Sequence, residues 1–158
     1  MLQSQSRQYD TAREHLLAAL ATRPDYAAAW ETLGDLEESD GRDAEAIHAL
    51  TEAVRDPTRN GAARKLAWIL ATAGDAALRD PARALTLARA AVVATQRADP
   101  DALETLAAAQ AASGEFARAV EIESEALTHI PAGRQAAARA RLAHYQTGQP
   151  IFHEHAAH

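Results

Sequence analysis

The chain of 158 residues carries 16 basic against 22 acidic side chains, a net charge of −6, and no cysteine. That balance argues against a nucleic-acid binder, which needs a basic surplus to meet phosphates. The missing thiols exclude disulfides and cysteine nucleophiles without choosing between cytoplasm and periplasm.

Residues are 47% hydrophobic but only 4% aromatic, so alanine and leucine must supply the core, and few β-branched runs suggest strands. An all-α chain follows, and its length is that of one domain. No apolar run approaches the roughly 20 residues needed to span a bilayer, so membrane insertion by this segment is not expected. No basic-then-apolar leader precedes residue 20, so a secretion signal is not expected either.

In chain order, residues 9–24 read as a helix with Ala12, Leu16 and Ala19 on one face and Pro24 at its end. Those places recur downstream, because Ala46 and Ala53 stand 34 residues after Ala12 and Ala19. If 9–24 is the second helix of a pair, only the last turns of the first fit into residues 1–8. A partial repeat over 1–24 is therefore expected, and with it a fragment of a longer protein. Leu16, Leu17 and Leu20 would then lack part of their cover and form an N-terminal face through which copies associate.

Residues 25–57 hold the clearest unit: two amphipathic helices broken at Ser39-Asp40-Gly41. Trp30, Leu33 and Gly34 share a face of the first, and Ala46, Leu50 and Ala53 share a face of the second. Gly41 suits a helix end that needs positive φ, and Asp43 is placed to cap the helix that follows. Gly34 and Ala46 are small where the two helices should cross. Trp30 belongs to the core.

A third unit over 60–97 departs from the pattern. Ala67 to Ala84 spans 17 positions where Gly34 to Ala46 spans 12, which puts five extra residues into the loop around Gly74–Arg79. Asp80-Pro81 then opens the next helix with a cap residue and proline at N1. Residues 99–131 return to register, with Leu106, Ala107, Gly114, Phe116, Ala119 and Ala126 in place. Ala119 and Ala126 follow Ala84 and Ala91 by 35 residues. One more helix over 134–147, with Ala138, Leu142 and Tyr145 on one face, closes the array before Gly148 and Pro150. Residues 149–158 read as a flexible tail.

A period of 34–35 residues carrying Trp30, Leu33, Gly34, Gly41, Ala46, Leu50 and Ala53 resembles the tetratricopeptide repeat (TPR). The stretch LAWILATAGDAALRDPARAL resembles a variant repeat of bacterial C-terminal TPR arrays. The resemblance implies a right-handed superhelical stack of antiparallel helix pairs over residues 1–148, a single domain that holds a peptide or protein segment in a concave groove. In that family the groove positions flank the Leu-Gly pair. Carried over, they are Glu31, Asp35 and Glu38, then Arg64 and Trp68, then Asp101, Glu104 and Ala108. Glu31, Asp35 and Glu38 do share one helical face. They depart from the family's carboxylate clamp, whose lysines and asparagines grip a C-terminal acid, so a basic segment is the better-matched ligand. The plainer alternative is a solvated acidic face. For Trp68, packing with Leu78 is preferred over ligand contact.

No catalytic signature is present, and no enzyme activity or cofactor is expected within these residues. Glu37 with Glu38, and Glu121, Glu123 and Glu125, read as solvated helix-face carboxylates. His153, His155 and His158 with Glu154 are weak metal candidates, because the run is not H-E-x-x-H. Two other readings remain open: a self-assembling scaffold, and an accessory domain of a transferase or membrane protein.

Overall fold

The structure, a computed structural model, describes residues 2–153, with side chains described for 8–153. Eight α-helices follow one another among the described residues: α1 Leu2–Thr22, α2 Ala27–Ser39, α3 Asp43–Ala53, α4 Asn60–Thr72, α5 Pro81–Ala94, α6 Pro100–Ala112, α7 Phe116–His129 and α8 Gln135–Gln146. Short 3-10 turns at Ala76–Leu78 and Ala132–Arg134 precede α5 and α8. No helix of the described residues is long and apolar enough to cross a membrane. The sequence reading takes 1–148 as one domain, whereas contacts divide the chain into two units that cover 2–62 and 63–153 of the described residues.

In the first unit α1 packs on α2 and α2 on α3. The helix expected to break near residue 8 runs unbroken through α1, since nothing between Gln3 and Tyr9 terminates a helix. Leu20, Ala29, Leu33 and Ala49 form the core, with Leu16, Trp30 and Leu36 packed against it. The α2–α3 crossing is tight because Gly34 has no side chain. A Cβ there would stand 2.6 Å from Leu50 Cγ.

The chain reverses at Gly41, which takes φ 75° at low cost because it lacks a Cβ. Its N–H donates to the Glu38 carbonyl at 3.0 Å, and the Arg42 N–H donates to the Glu37 carbonyl at 2.8 Å, closing a Schellman motif. Asp43 does not cap α3 as its position suggested. It is the first helical residue, Arg42 stands at the N-cap, and no side-chain cap bond forms.

In the second unit α5 packs on α6, α6 on α7 and α7 on α8. The extra loop residues form the 3-10 turn at Ala76–Leu78, capped by Asp75. Asp80 Oδ1 then accepts from the Arg83 N–H at 3.0 Å and Pro81 sits in the first turn of α5. Asp99 caps α6 in the same way, accepting from the Asp101 N–H at 3.0 Å. Ala46, Ala84 and Ala119, which the repeat places in equivalent positions, are all fully buried.

Residues 149–153 are not the loose start of a tail. The His153 N–H donates to the Thr72 carbonyl at 2.8 Å, and Ala73 pairs with His153 in an isolated parallel bridge. Ile151 packs onto the cluster of Ala107, Ala111, Ala119 and Tyr145, and the Arg79 guanidinium lies 4.1 Å over the Phe152 ring. This strap has no helical period of its own, so it is held by the end of α4, by Arg79 and by the α6–α8 apolar cluster.

Candidate functional site

On α2, Glu31, Asp35 and Glu38 recur at i, i+4 and i+7 and each is half-buried. Glu31 Oε2 already accepts from Arg59 Nη1 at 3.4 Å. In the same unit a cleft of about 380 Å³ is walled by Trp30 and rimmed by Asp25, Glu52, Asp56 and Arg55. Trp30 Nε1–H donates to the Pro24 carbonyl at 2.8 Å, and its ring meets His48 edge-on at 5.6 Å. Hydrogen bonds from the Thr58 hydroxyl and N–H hold the Asp56 carboxyl below its ordinary range, so this rim keeps its negative charge.

Beneath α2 lies a charged cluster that the sequence reading passes over. Glu37 is buried, and Arg13 of α1 grips it bidentately, Nε to Oε1 at 2.8 Å and Nη2 to Oε2 at 3.0 Å. Arg13 also donates to Asp40 at 2.6 Å, and Arg42 Nε approaches Glu37 at 3.3 Å. The hydrogen bonds that Arg13 donates to Glu37 lift its guanidinium further above the usual arginine range, against the opposing effect of burial. The pair ties α1 to α2.

Of the N-terminal leucines expected at an oligomer face, Leu20 is buried in the core of its own unit and Leu16 packs against that core. Leu17 alone of the three is exposed, at 49%.

In the second unit Arg64 and Trp68 are half-buried on α4. Of Asp101, Glu104 and Ala108, expected to line a groove, Asp101 keeps a partly exposed side chain and the other two are closed. Ala108 is buried and Glu104 is only 8% exposed. The reason is the arginines that follow α7. Arg134 pairs with Asp101 and Glu104, and Arg141 of α8 pairs with Glu104 and with Glu123 of α7.

Glu123 is 0% exposed rather than solvated. Burial pushes its carboxyl up to about 7, with the charge of Arg141 opposing and that of Glu104 adding to the shift. Tyr145, likewise buried, has its phenol pushed above the ordinary range by burial and by Glu123. Periodicity alone would have flagged both buried acids. Glu37 lies four residues after Leu33, and Glu123 lies between Ala119 and Ala126 on the buried stripe.

His153 is engaged rather than splayed, with Nδ1 2.7 Å from Thr72 Oγ1. Among the described residues no group of three or more histidines and carboxylates could hold a metal ion. Glu154, His155 and His158 lie outside the described residues.

No family model matches the chain, and no curated protein matches it by sequence. Solved structures do. A crystal structure of MamA protein superposes with a TM-score of 0.69 at 18% identity, covering 92% of this chain and 82% of that one. A second crystal structure of MamA gives 0.69 at 18%, covering 92% of this chain and 88% of the other. MamA is a helical solenoid of the TPR kind. The fold here is all-α and TPR-like. At 18% identity this likeness concerns architecture, and the ion clusters at Glu37 and Glu123 are described from this chain alone.

Proposed function

We propose that this chain is a protein-interaction module of the TPR-like kind that binds an extended segment rich in lysine or arginine. The single observation that carries this reading is the α2 stripe of Glu31, Asp35 and Glu38. These are three carboxylates on one half-exposed helical face of a chain with net charge −6. The acidic rim of Asp25, Glu52 and Asp56 beside Trp30 belongs to the same unit and favours the same sign of ligand. Charge of this kind steers encounter and selects the partner, and it weakens with salt. The second unit contributes less, because Glu104 and Ala108 are closed. Chemistry is not assigned to any of these residues.

The test is fluorescence anisotropy with a labelled Lys/Arg-rich peptide and a Glu-rich control across a salt series. The basic peptide should bind more tightly at low salt. The triple variant Glu31→Gln, Asp35→Asn, Glu38→Gln should weaken it by tenfold or more, a loss of about 1.4 kcal/mol. Equal binding of both peptides, insensitive to salt and to the triple variant, refutes the reading.

Self-association is a second reading, favoured by Leu17, which stands exposed on α1 beside exposed Ala18 and Ala21. Sedimentation that shows a strict monomer at every concentration removes it.

A further inference from the structure

Beside the apolar packing of Tyr145, one arginine ties α8 to both α6 and α7, and it is shared between two carboxylates. Arg141 donates from Nε to Glu123 Oε1 at 2.9 Å and from an η nitrogen to Glu104 Oε1. The charged and titratable groups that face this point are Asp101 and Glu104 from α6, Glu123 from α7, Arg134 from the 3-10 turn, and Arg141 and Tyr145 from α8. Glu104 has a second cation in Arg134. Among the described residues Glu123 does not, and its Oε2 is buried without a hydrogen-bond partner, as is Tyr145 Oη. A carboxylate that shares its only cation and leaves one oxygen unpaired is poorly compensated for the loss of water. If α8 swings away, Glu123 remains on α7 and returns to solvent. Docking of α8 and proton uptake by Glu123 are therefore linked.

We propose that Glu123 and Arg141 form a proton-operated clasp. With Glu123 neutral, α8 and the 149–153 strap behind it are held closed on α6 and α7. With Glu123 ionised, they open more readily.

The strap is part of the device because Tyr145 of α8 and Ile151 of the strap share one apolar cluster. In the neutral state the unpartnered Oε2 is a natural seat for the proton, Oε1 still accepts from Arg141 Nε, and the charge of Arg141 is left to Glu104. In the ionised state two buried carboxylates compete for the same guanidinium. The upward shift of the Glu123 carboxyl agrees with this balance.

The clasp is tested by amide hydrogen exchange across α8, corrected for intrinsic rates, at about pH 5.5 and about pH 8.5. Taking 4.5 for the open state and about 7 for the closed state, the opening constant of the wild-type chain should rise roughly thirtyfold between them. Glu123→Gln, with every other titratable group in place, should be flat over that window. Glu104→Gln removes a repulsive charge, so it should lower the midpoint and shrink the rise. A carboxyl-carbon NMR titration should place the Glu123 midpoint near 7. A wild-type chain with no pH dependence in α8, or a Glu123→Gln variant with the full dependence, overturns the proposal. So does a Glu104→Gln midpoint that stays in place.

Discussion

Gly34 lies so close to Leu50 that a methyl group on its α-carbon would fall 2.6 Å from Leu50 Cγ and 2.7 Å from Cδ2. Leu50 is fully buried and cannot retreat without disturbing its neighbours. Gly34→Ala would gain about 1 kcal/mol of helix propensity and incur about 1–3 kcal/mol of overpacking. We expect a net loss of roughly 1 kcal/mol, and a larger loss for Gly34→Val. Urea unfolding should show a lower midpoint with an unchanged slope, the mark of altered stability rather than altered compactness.

Arg13 and Glu37 give a second prediction. Arg13→Met leaves a buried carboxylate with only Arg42 at 3.3 Å, which should cost about 3 kcal/mol. Adding Glu37→Leu removes the stranded charge and should recover most of that loss. A double-mutant cycle by thermal unfolding reads the coupling, and additive losses would contradict the geometry.

Glu123 makes stability depend on pH in a direction opposite to that of salt-bridged surface acids. Its folded-state value of about 7 lies above the 4.5 expected when exposed, so the folded chain binds the proton more tightly. Its contribution is fully present below about 4.5 and is lost as pH rises through about 7, amounting to roughly 3 kcal/mol. Glu123→Gln should therefore raise the Tm at pH 8 and change it little near pH 5. Calorimetry at the two pH values is sufficient to decide.

Gln96 stands where three other helices of this chain place glycine. Gly41, Gly114 and Gly148 follow α2, α6 and α8 with φ of 75°, 81° and 71°, whereas Gln96 follows α5 with φ 51°. The bonding is the same, since the Gln96 N–H reaches the Val93 carbonyl and the Arg97 N–H reaches that of Val92. A side chain in this conformation costs about 1–2 kcal/mol, part of which glycine gives back in unfolded-state entropy. Gln96→Gly should stabilise by about 0.5–1 kcal/mol, and Gln96→Val should destabilise. Chemical denaturation of both variants checks the sign.

The helix pairs were legible because their signals are local. An apolar stripe repeated 34–38 residues apart and the glycines that end α2, α6 and α8 need no knowledge of distant contacts, and the alanines at 46, 84 and 119 are buried accordingly. The charged side chains were misread where residue type outweighed position. Glu37 and Glu123 look like solvated acids beside other acids, yet each falls on its helix's buried stripe, where a partner arginine 24 or 18 residues away must meet it. Glu104 was placed on an open groove because nothing local announces that Arg141, 37 residues on, will cover it. The strap was least legible of all. Its partner Thr72 lies 81 residues earlier, and no periodic pattern links them.

That strap also sets where the molecule can be cut. Trimming the chain at Gly148, the obvious limit if helices alone marked its extent, would strip Ile151 from Tyr145 and leave the Thr72 carbonyl without its donor. The exposed apolar ring face would then be a sticky scar of the scissors, easily mistaken for a binding surface.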